Sequence, residues 1–327
     1  MRRLLTAALL ATVALTGPAA GAQPQPRAAG GRGAAGTPIV AADQASRAVY
    51  VLRSEPRSWD VGRGTGVLWS WSADGQAGLA DLDPGASWSN PSEAKLRELG
   101  GRRYLLATAS GGLAAVVGYP GRDVYWAAHT GPGNAHSIDL LPDGDVAVAA
   151  STGGFVRVYA ASAGSRATRH AEVPLRGAHG VHWDPGTRLL WALGSRELVA
   201  LRVEGPADDP GLVVVHRSAL PTRDGHDLAP VLGTKGRLWV TTGTAVHQYA
   251  TGRHRFVDYP LSSRISAPGV KSIGDDPATG RILMARPEPG HACVWCTSVL
   301  TFHQPDGTKR MVRGAMYKAR WWTSRRD

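Results

Sequence analysis

Cysteine is scarce in this sequence. Among 327 residues there are two, Cys293 and Cys296, which form the segment Cys-Val-Trp-Cys. Two cysteines exclude a metal site made of paired CxxC segments and a framework of several disulfides. In a reducing compartment a single CxxC would favour redox chemistry or half of a metal site. Because the N-terminal residues indicate export to an oxidising compartment, we expect a small disulfide between Cys293 and Cys296 that clamps one loop.

The familiar sequence signatures of catalysis are also missing. The chain has no GxSxG elbow, no P-loop, no HExxH segment and no dinucleotide-binding fingerprint. Asp143-Gly144 and Asp276-Pro277 are turn dipeptides outside any D-x-D-x-D-G run, so a standard calcium loop is excluded. A functional site must therefore be inferred from the arrangement of repeated residues.

A long apolar segment occurs only at the N-terminus. Residues 1–22 contain Arg2 and Arg3, an apolar stretch from Leu4 to Leu15 and the small residues Ala20-Gly21-Ala22. These features are typical of a secretory signal peptide, whose apolar core is too short to cross a bilayer. We therefore expect a secreted, extracellular protein without a membrane span.

The remaining chain is basic and long enough for one domain. Residues 23–36 are rich in Pro, Gly, Ala and Arg and predict a disordered linker, which leaves residues 37–327 for a single folded domain. The formal net charge is +11. Because the arginines are scattered rather than clustered, we expect an anionic partner but no specific nucleic acid.

What the sequence does contain is a repeated plan of strands and turns. Residues 134–159 hold a histidine, a short alternating strand, a Pro-Asp-Gly turn and two further strands, a pattern typical of a β-meander. Similar segments begin at Glu93, Gly177, Gly225 and Gly269. A sixth unit is split between the two ends of the chain, with a first strand at 317–322 and the following strands at 38–52.

The repeats predict the fold. One basic residue stands at the start of each unit, and these anchors are Lys95, His136, His179, His226, Lys271 and Lys318. The steps between them are 41, 43, 47, 45 and 47 residues. A four-stranded unit of this size is typical of a β-propeller. We predict an all-β, six-bladed β-propeller closed by pairing of the C-terminal strand with the N-terminal strands, which leaves no free edge at the join.

The anchors also predict a site. The first strand of a propeller blade lines the central channel, so we expect a ring with three histidines on one side and three lysines on the other. Three imidazoles suit one divalent transition metal or, without metal, general acid–base catalysis. Three ammonium groups favour an anion between them, and their crowding lowers the pKa of a lysine that serves as a base. Glu93 lies on the same strand face as Lys95 and is expected to join the site.

Roles follow for these residues. The predicted catalytic residues are His136, His179, His226 and Lys318. The predicted substrate-binding residues are Lys95, Lys271, Lys318 and Glu93. The three histidines are also the predicted metal ligands. The plainer alternative is that the lysines are solvated at the channel mouth and that the histidines bond to the backbone of neighbouring blades.

Four segments carry a resemblance to a known family. The motifs NAHSIDLLPDG, GAHGVHWDP, GHDLAPV and YKARWW resemble those of an uncharacterised family of secreted β-propellers from high-GC Gram-positive bacteria, a domain of unknown function. The resemblance covers essentially the mature chain and implies the fold but no activity. More distantly, the layout resembles propeller polysaccharide lyases such as oligogalacturonate lyase, although their motifs do not match residue by residue. In those enzymes channel histidines hold a metal that neutralises a uronate carboxylate, and a basic residue removes a proton.

Two functions remain open at this point. The first is a metal-assisted, lyase-type enzyme that acts on an acidic glycan or a small anionic substrate. The second is a non-catalytic extracellular module that binds an anionic ligand or a protein partner. The anchor ring offers no pair of positioned carboxylates, which argues against a standard glycosidase. Nothing in the sequence indicates symmetric association, so we expect a monomer.

Overall fold

Short strands make up almost all of the regular structure in residues 36–324, the part of the chain that the computed structural model describes. The predicted signal peptide, residues 1–22, and all but the last residue of the predicted linker lie outside the described residues. No described helix is long and apolar enough to cross a membrane.

The strands follow one another with short connections. The chain begins with β1 (Ile39–Asp43), β2 (Ala48–Leu52), β3 (Ser58–Trp59) and β4 (Val67–Trp71). Next come β5 (Pro91–Leu99), β6 (Arg102–Ala109), β7 (Leu113–Gly118) and β8 (Val124–His129). They are followed by β9 (Ala135–Leu140), β10 (Val146–Ala150), β11 (Phe155–Tyr159) and β12 (His170–Pro174).

The second half of the domain repeats this plan. It continues with β13 (Gly180–Asp184), β14 (Leu189–Leu193), β15 (Glu197–Glu204) and β16 (Gly211–Ala219). Then come β17 (Asp227–Pro230), β18 (Arg237–Thr241), β19 (Val246–Ala250) and β20 (Arg255–Val257). The last strands are β21 (Ser272–Asp275), β22 (Ile282–Ala285), β23 (Val299–His303), β24 (Gly307–Met311) and β25 (Met316–Trp321).

Helical segments are short and lie in the connections. The two α-helices are α1 (Pro84–Ser87) and α2 (Ser262–Ile265). The 3₁₀ segments are Val61–Arg63, Ala77–Leu82, Ala161–Ala163 and Thr251–Arg253.

The strands form six sheets, one for each blade, in which four strands are antiparallel to their neighbours, and the predicted six-bladed β-propeller is confirmed. The first blade has the order β25-β1-β2-β4. The C-terminal strand β25 pairs with β1, with Ile39 opposite Trp321 and Ala41 opposite Ala319, so the predicted closure by the chain ends is present.

The sixth blade has a fifth strand that the sequence did not predict. The two-residue strand β3 pairs in parallel with β24, with Ser58 opposite Arg310 and Trp59 opposite Met311. Two residues are too few to show the alternation of apolar and polar side chains by which a strand is recognised in a sequence. The segment after β2 thus fastens the first blade to the last a second time.

The core lies between the faces of neighbouring blades. The strand β10 reads Val-Ala-Val-Ala-Ala and is buried throughout. Its alanines Ala147 and Ala149 pack toward the fourth blade, whereas Val146 and Val148 pack toward the second. A strand covered on both faces needs no polar alternation, which explains its continuous apolar sequence. The Pro-Asp-Gly turn before it ends at Gly144, whose φ of 96° suits glycine.

Candidate functional site

The first strand of each blade lies innermost and borders the central channel. The strands β25, β5, β9, β13, β17 and β21 contact one another in a closed sequence around the axis. Their channel-facing side chains therefore lie in layers from one end of the channel to the other.

The outermost layer is fixed by the backbone at the N-terminal ends of these strands. The N–H groups of His179, His226 and Lys271 donate to carbonyl oxygens of the second strand of their own blades at 2.9, 2.8 and 2.9 Å. These three residues therefore hold equivalent positions immediately before β13, β17 and β21.

In the other three blades a β-bulge occupies the same position. The pairing shifts so that one residue has no partner: His136 in β9, Tyr317 in β25 and Ser92 in β5. A bulge turns the extra side chain away from the regular alternation. We call the resulting layer the mouth ring, and its members are Ser92, His136, His179, His226, Lys271 and Tyr317.

The mouth ring corrects the predicted register at two anchors. Lys318 lies one residue after the ring position, which Tyr317 occupies, and Lys95 lies three residues after Ser92. Equal spacing in the sequence cannot reveal a bulge, so the prediction that three lysines face three histidines in one layer is wrong. The side chains of Lys95 and Lys318 lie deeper in the channel, only 3% and 1% exposed.

The four rings of the mouth ring pack against one another. The His136 and His179 rings stack with centroids 4.6 Å apart and an angle of 13° between their planes. His226 lies 4.8 Å from His179, and Tyr317 lies 5.5 Å from His136. The three predicted histidines are thus together, as a stacked group.

His226 connects two potential proton carriers. Its Nε2 atom lies 3.0 Å from the Lys271 Nζ and 3.0 Å from the Tyr317 hydroxyl. In His179, Nδ1 lies 2.9 Å from the Gly177 carbonyl oxygen. A carbonyl only accepts, so this Nδ1 carries a proton and the neutral ring keeps its lone pair on Nε2.

Burial keeps the imidazoles neutral. It lowers the pKa of His136 and of His226 well below the usual histidine value, and neighbouring cations lower both further. Burial also lowers the pKa of His179 to about 4. Lys271 is affected in the same direction, since burial and the charge of Lys318 lower its pKa to about 8.

A layer of ion pairs lies directly beneath the mouth ring. The Arg320 guanidinium bridges two carboxylates, with contacts of 2.6 Å to Glu93 Oε1 and 2.6 Å to Asp227 Oδ1. Lys318 Nζ lies 3.2 Å from Asp227 Oδ1 and donates to the His136 carbonyl at 3.2 Å. Burial alone raises the pKa of Glu93, but Arg320, Lys318 and Lys95 outweigh burial and hold it well below its usual value.

The deepest layer contains Lys95. Its Nζ donates to the Val181 carbonyl at 2.9 Å and to Ser137 Oγ at 3.1 Å, and it lies 3.7 Å from Glu93 Oε2. Arg97 donates to Asp139 Oδ1 at 2.6 Å. The predicted association of Glu93 with Lys95 is therefore present. The ion-pair layers hold four cationic side chains and three carboxylates, namely Lys95, Arg97, Lys318 and Arg320 with Glu93, Asp139 and Asp227.

A depression of about 400 Å³ opens above the mouth ring. Carboxamides and a hydroxyl border it, from Gln44, Asn90, Ser110 and Asn134. Two buried atoms at its edge, Nδ1 of His136 and Oδ1 of Asn134, have no hydrogen-bond partner among the described residues. At the other end of the channel the space is only about 40 Å³.

The loop containing Cys293 and Cys296 borders the same depression, and the predicted disulfide between them is present. Trp295, which the loop contains, contributes to the wall of the depression. The sequence interpretation treated this loop as structural only. Its position beside the channel depends on which blade faces which, and no local pattern shows that.

The three histidines do not fit a metal ion in this arrangement. The lone pairs of an imidazole lie in the plane of its ring, so parallel stacked rings cannot direct two of them to one ion at about 2.0–2.1 Å. The His226 Nε2 atom already faces Lys271 and Tyr317. In residues 36–324 no group of three His, Cys, Asp or Glu residues is arranged to hold a metal. We derive no chemistry through a metal, and the predicted transition metal stays a subject for elemental analysis.

Comparison with solved structures shows the fold alone. A protein of unknown function from Bacteroides caccae superimposes with a TM-score of 0.50 at 9% identity, covering 86% of this chain and 94% of that one. A chain of the mitotic checkpoint complex gives a TM-score of 0.50 at 10% identity, covering 81% of this chain and 71% of that one.

Comparison of sequences gives one family. A model described as a family of unknown function, DUF6528, matches residues 36–325. No curated protein matches the chain.

Proposed function

Because the chain belongs to the family of unknown function DUF6528, its function must be inferred from its own residues, and we propose that the channel mouth binds a carboxylate-bearing ligand. The proposal includes a small anionic molecule and an acidic glycan. Lys271 is the residue that contacts the carboxylate, and the neutral rings and carboxamides around it contact the rest of the ligand.

The observation that carries this proposal is that Lys271 lacks an ion-pair partner among the described residues. Of the three channel lysines, Lys95 and Lys318 form ion pairs, whereas Lys271 forms none with any described residue. Its neighbours are a neutral imidazole and, 5.9 Å away, the face of the Tyr317 ring. The two ion-pair layers below together hold four cationic side chains and three carboxylates, so their field at the mouth favours a negative charge.

The composition of the depression favours a carboxylate over a phosphate. Among the described residues that line the depression, Lys271 is the one cationic side chain, and a single ammonium group matches a monoanion. Sites for phosphate more often combine several arginines or helix N-termini, and residues 36–324 place neither at the mouth ring. Carboxamides both donate and accept, which suits a ligand with hydroxyl groups.

A second candidate is catalysis at the same site, favoured by the Lys271–His226–Tyr317 group. In an elimination beside a uronate carboxylate, a base takes the proton from the carbon next to the carboxylate. The bond to the leaving oxygen then breaks, a carbon–carbon double bond forms, and an acid protonates that oxygen. Neutral Lys271 is suited to the first role. The Tyr317 hydroxyl is the proton donor for the second role, and because burial, Asp227 and Glu93 raise its pKa, it is a weaker acid than an exposed tyrosine. The excess positive charge below then balances the carboxylate.

The other predicted site residues have supporting roles in this proposal. His136, which lines the depression, contacts the ligand as a neutral ring, and His179 supports it by stacking on it. Lys318 and Lys95 act through their charge, because both are buried and paired. Glu93 positions Arg320 and Lys318 by its ion pairs.

We also propose that the protein works outside the cell as a monomer. The N-terminal signal-like residues and the disulfide support the first statement. Fractionation of the producing cells and size-exclusion chromatography of the mature domain test the two statements separately.

Calorimetric titration of the mature protein with galacturonate, glucuronate, sulfate and phosphate tests the binding proposal. We expect uronate binding that falls at least about tenfold in Lys271→Met, because a charge-assisted contact is lost. Lys235→Met is the matched control, since Lys235 is exposed and outside the channel. Equal affinity in wild type and Lys271→Met, or no binding of any uronate, would contradict the proposal. Ultraviolet absorbance of an unsaturated product, formed from polyuronate, distinguishes the lyase from the binding module.

A further inference from the structure

A second cavity adjoins the mouth depression, and Trp295 stands between them. The second cavity has a volume of about 590 Å³. Gln44, Asn90 and Trp295 line both cavities. A ligand that occupies the mouth can therefore continue past Trp295 without leaving the protein surface.

Trp295 is held in place while its ring stays accessible. Trp295 is 46% exposed, and its Nε1 donates to Gln44 Oε1 at 3.0 Å. Gln44 is itself fixed, because its Nε2 donates to the Pro91 carbonyl at 3.3 Å and its N–H to the Ala315 carbonyl at 2.9 Å.

The loop that carries Trp295 is fastened at both sides. The disulfide joins Cys293 to Cys296, and Cys296 N donates to the Cys293 carbonyl at 3.0 Å. His291 Nε2 lies 3.0 Å from the Gly314 carbonyl. An aromatic ring that is ordered before binding loses little conformational freedom when a ligand stacks on it.

The second cavity, like the mouth, contains a cationic side chain without a carboxylate partner. Arg310 and Arg313 line it. Arg310 is engaged with Glu288 at 3.1 Å, whereas Arg313 is exposed and forms no ion pair with any described residue. The two cavities thus each offer one cation without a carboxylate partner, Lys271 and Arg313, with an indole between them.

We infer that the site binds a chain of acidic sugars rather than a single small anion. One uronate residue occupies the mouth with its carboxylate toward Lys271. The adjacent sugar stacks on the Trp295 indole, and the next carboxylate lies toward Arg313. The carboxamides at the border of the mouth contact the hydroxyl groups. This inference rests on the proposed function, because it uses the same mouth site for the first residue.

Titration of the mature wild-type protein with galacturonic acid, its linear trimer and a hyaluronan tetrasaccharide tests the inference. We expect one of the two oligomers to bind at least about tenfold more tightly than a uronate monomer. Trp295→Ala should weaken oligomer binding roughly five- to tenfold, on the scale of an aromatic stacking contact, and should weaken monomer binding by a clearly smaller factor. Trp295→Phe should retain most of the oligomer affinity. Val294→Ala is the control in the same loop, since Val294 is exposed but lines neither cavity.

The outcomes separate this inference from the proposed function. Monomer binding that depends on Lys271, together with oligomer binding that Trp295→Ala leaves unchanged, overturns the second subsite alone. Absence of both monomer and oligomer binding in the wild type overturns both. Binding of polyglutamate with the same dependence on Trp295 and Lys271, but without oligouronate binding, overturns the sugar assignment in favour of an acidic peptide.

Discussion

The mouth and the interior of one channel use the same residue types in opposite ways. In the interior, Lys318, Glu93 and Asp227 are buried, the Arg320 side chain is 11% exposed, and the four satisfy one another within 3.5 Å. At the mouth, Lys271 has no carboxylate partner among residues 36–324.

This difference separates structure from function in the channel. A charge that the protein has already neutralised holds blades together and shapes the field. A cation at the mouth that has no carboxylate partner is available to a ligand. If the comparison is correct, substitutions in the interior should reduce stability, and substitutions at the mouth should reduce binding.

The largest effect should come from Arg320→Met, which removes the cation between Glu93 and Asp227. The two carboxylates would then share Lys318 as their nearest cation in a buried layer. Removing one partner of a buried ion-pair network costs about 3–5 kcal/mol, so we expect the free energy of unfolding to fall by that amount in denaturant titrations.

The matched control is Arg217→Met on the surface. Arg217 also pairs with a carboxylate, Glu197 at 2.9 Å, but its side chain is 48% exposed. Exposed pairs contribute about 0–1 kcal/mol. A loss of stability in Arg320→Met no larger than in Arg217→Met would contradict the structural role of the interior charges.

The next effect concerns the pH dependence of ligand binding. Lys271 has a pKa lowered to about 8, so its charge disappears as the pH rises through 8. We expect uronate affinity to decrease above pH 8 if the ammonium group makes the contact. Lys271→Arg should extend binding to higher pH, because a guanidinium stays charged. Calorimetry at pH 6.5 to 9.5 measures both, and identical profiles for the two proteins would refute the assignment.

A third prediction concerns stability in acid. The folded-state pKa of His179 is lowered from 6.5 to about 4, so between these values the unfolded chain binds a proton that the folded chain does not. Stability should therefore fall as the pH drops from 6.5 toward 4. The pKa of Glu93 is lowered too, so its contribution is present above about 4.5 and declines below that value. His179→Gln should reduce the slope of the first part of the curve, to which His136 and His226 also contribute, and Glu93→Gln should reduce the slope of the second part. Unfolding curves that keep their slope in both variants would contradict this assignment.

The smallest expected effect comes from the disulfide. It closes a loop of only a few residues, and a double Cys293→Ser, Cys296→Ser substitution should cost at most about 2 kcal/mol of stability. Binding of a uronate oligomer should decrease more than binding of a monomer, because the loop lines the second cavity with Cys293 and Trp295 but the mouth depression with Trp295 alone. A variant that unfolds completely at room temperature would show that the loop has a larger structural role.

The fold was predictable because its signals repeat. A single meander such as residues 134–159 is ambiguous, but similar units at nearly constant steps, with a split unit at the ends, leave few alternatives. The two-residue strand β3 escaped because it makes its only pairing with β24, which is distant in sequence.

The site was predictable in part. His136, His179, His226 and Lys271 do meet at the mouth, since a repeated register places equivalent residues in one layer. Tyr317 was missed because a bulge shifts the count by one residue. The rarity of lysine indicated the channel, because only five lysines occur in this arginine-rich chain and three of them line it. Lys271 lies at the mouth, whereas Lys95 and Lys318 lie deeper in the channel. The sequence does not show this difference, because it depends on how the strands pair and where the bulges occur.

The most direct test of the central claim is a crystal structure of the mature protein with galacturonate or its trimer. Our account predicts a carboxylate within hydrogen-bonding distance of Lys271 Nζ, above His136, His179 and His226, while the ion pairs of Arg320 stay intact. A uronate bound elsewhere, with the mouth filled only by water at saturating concentration, would contradict it.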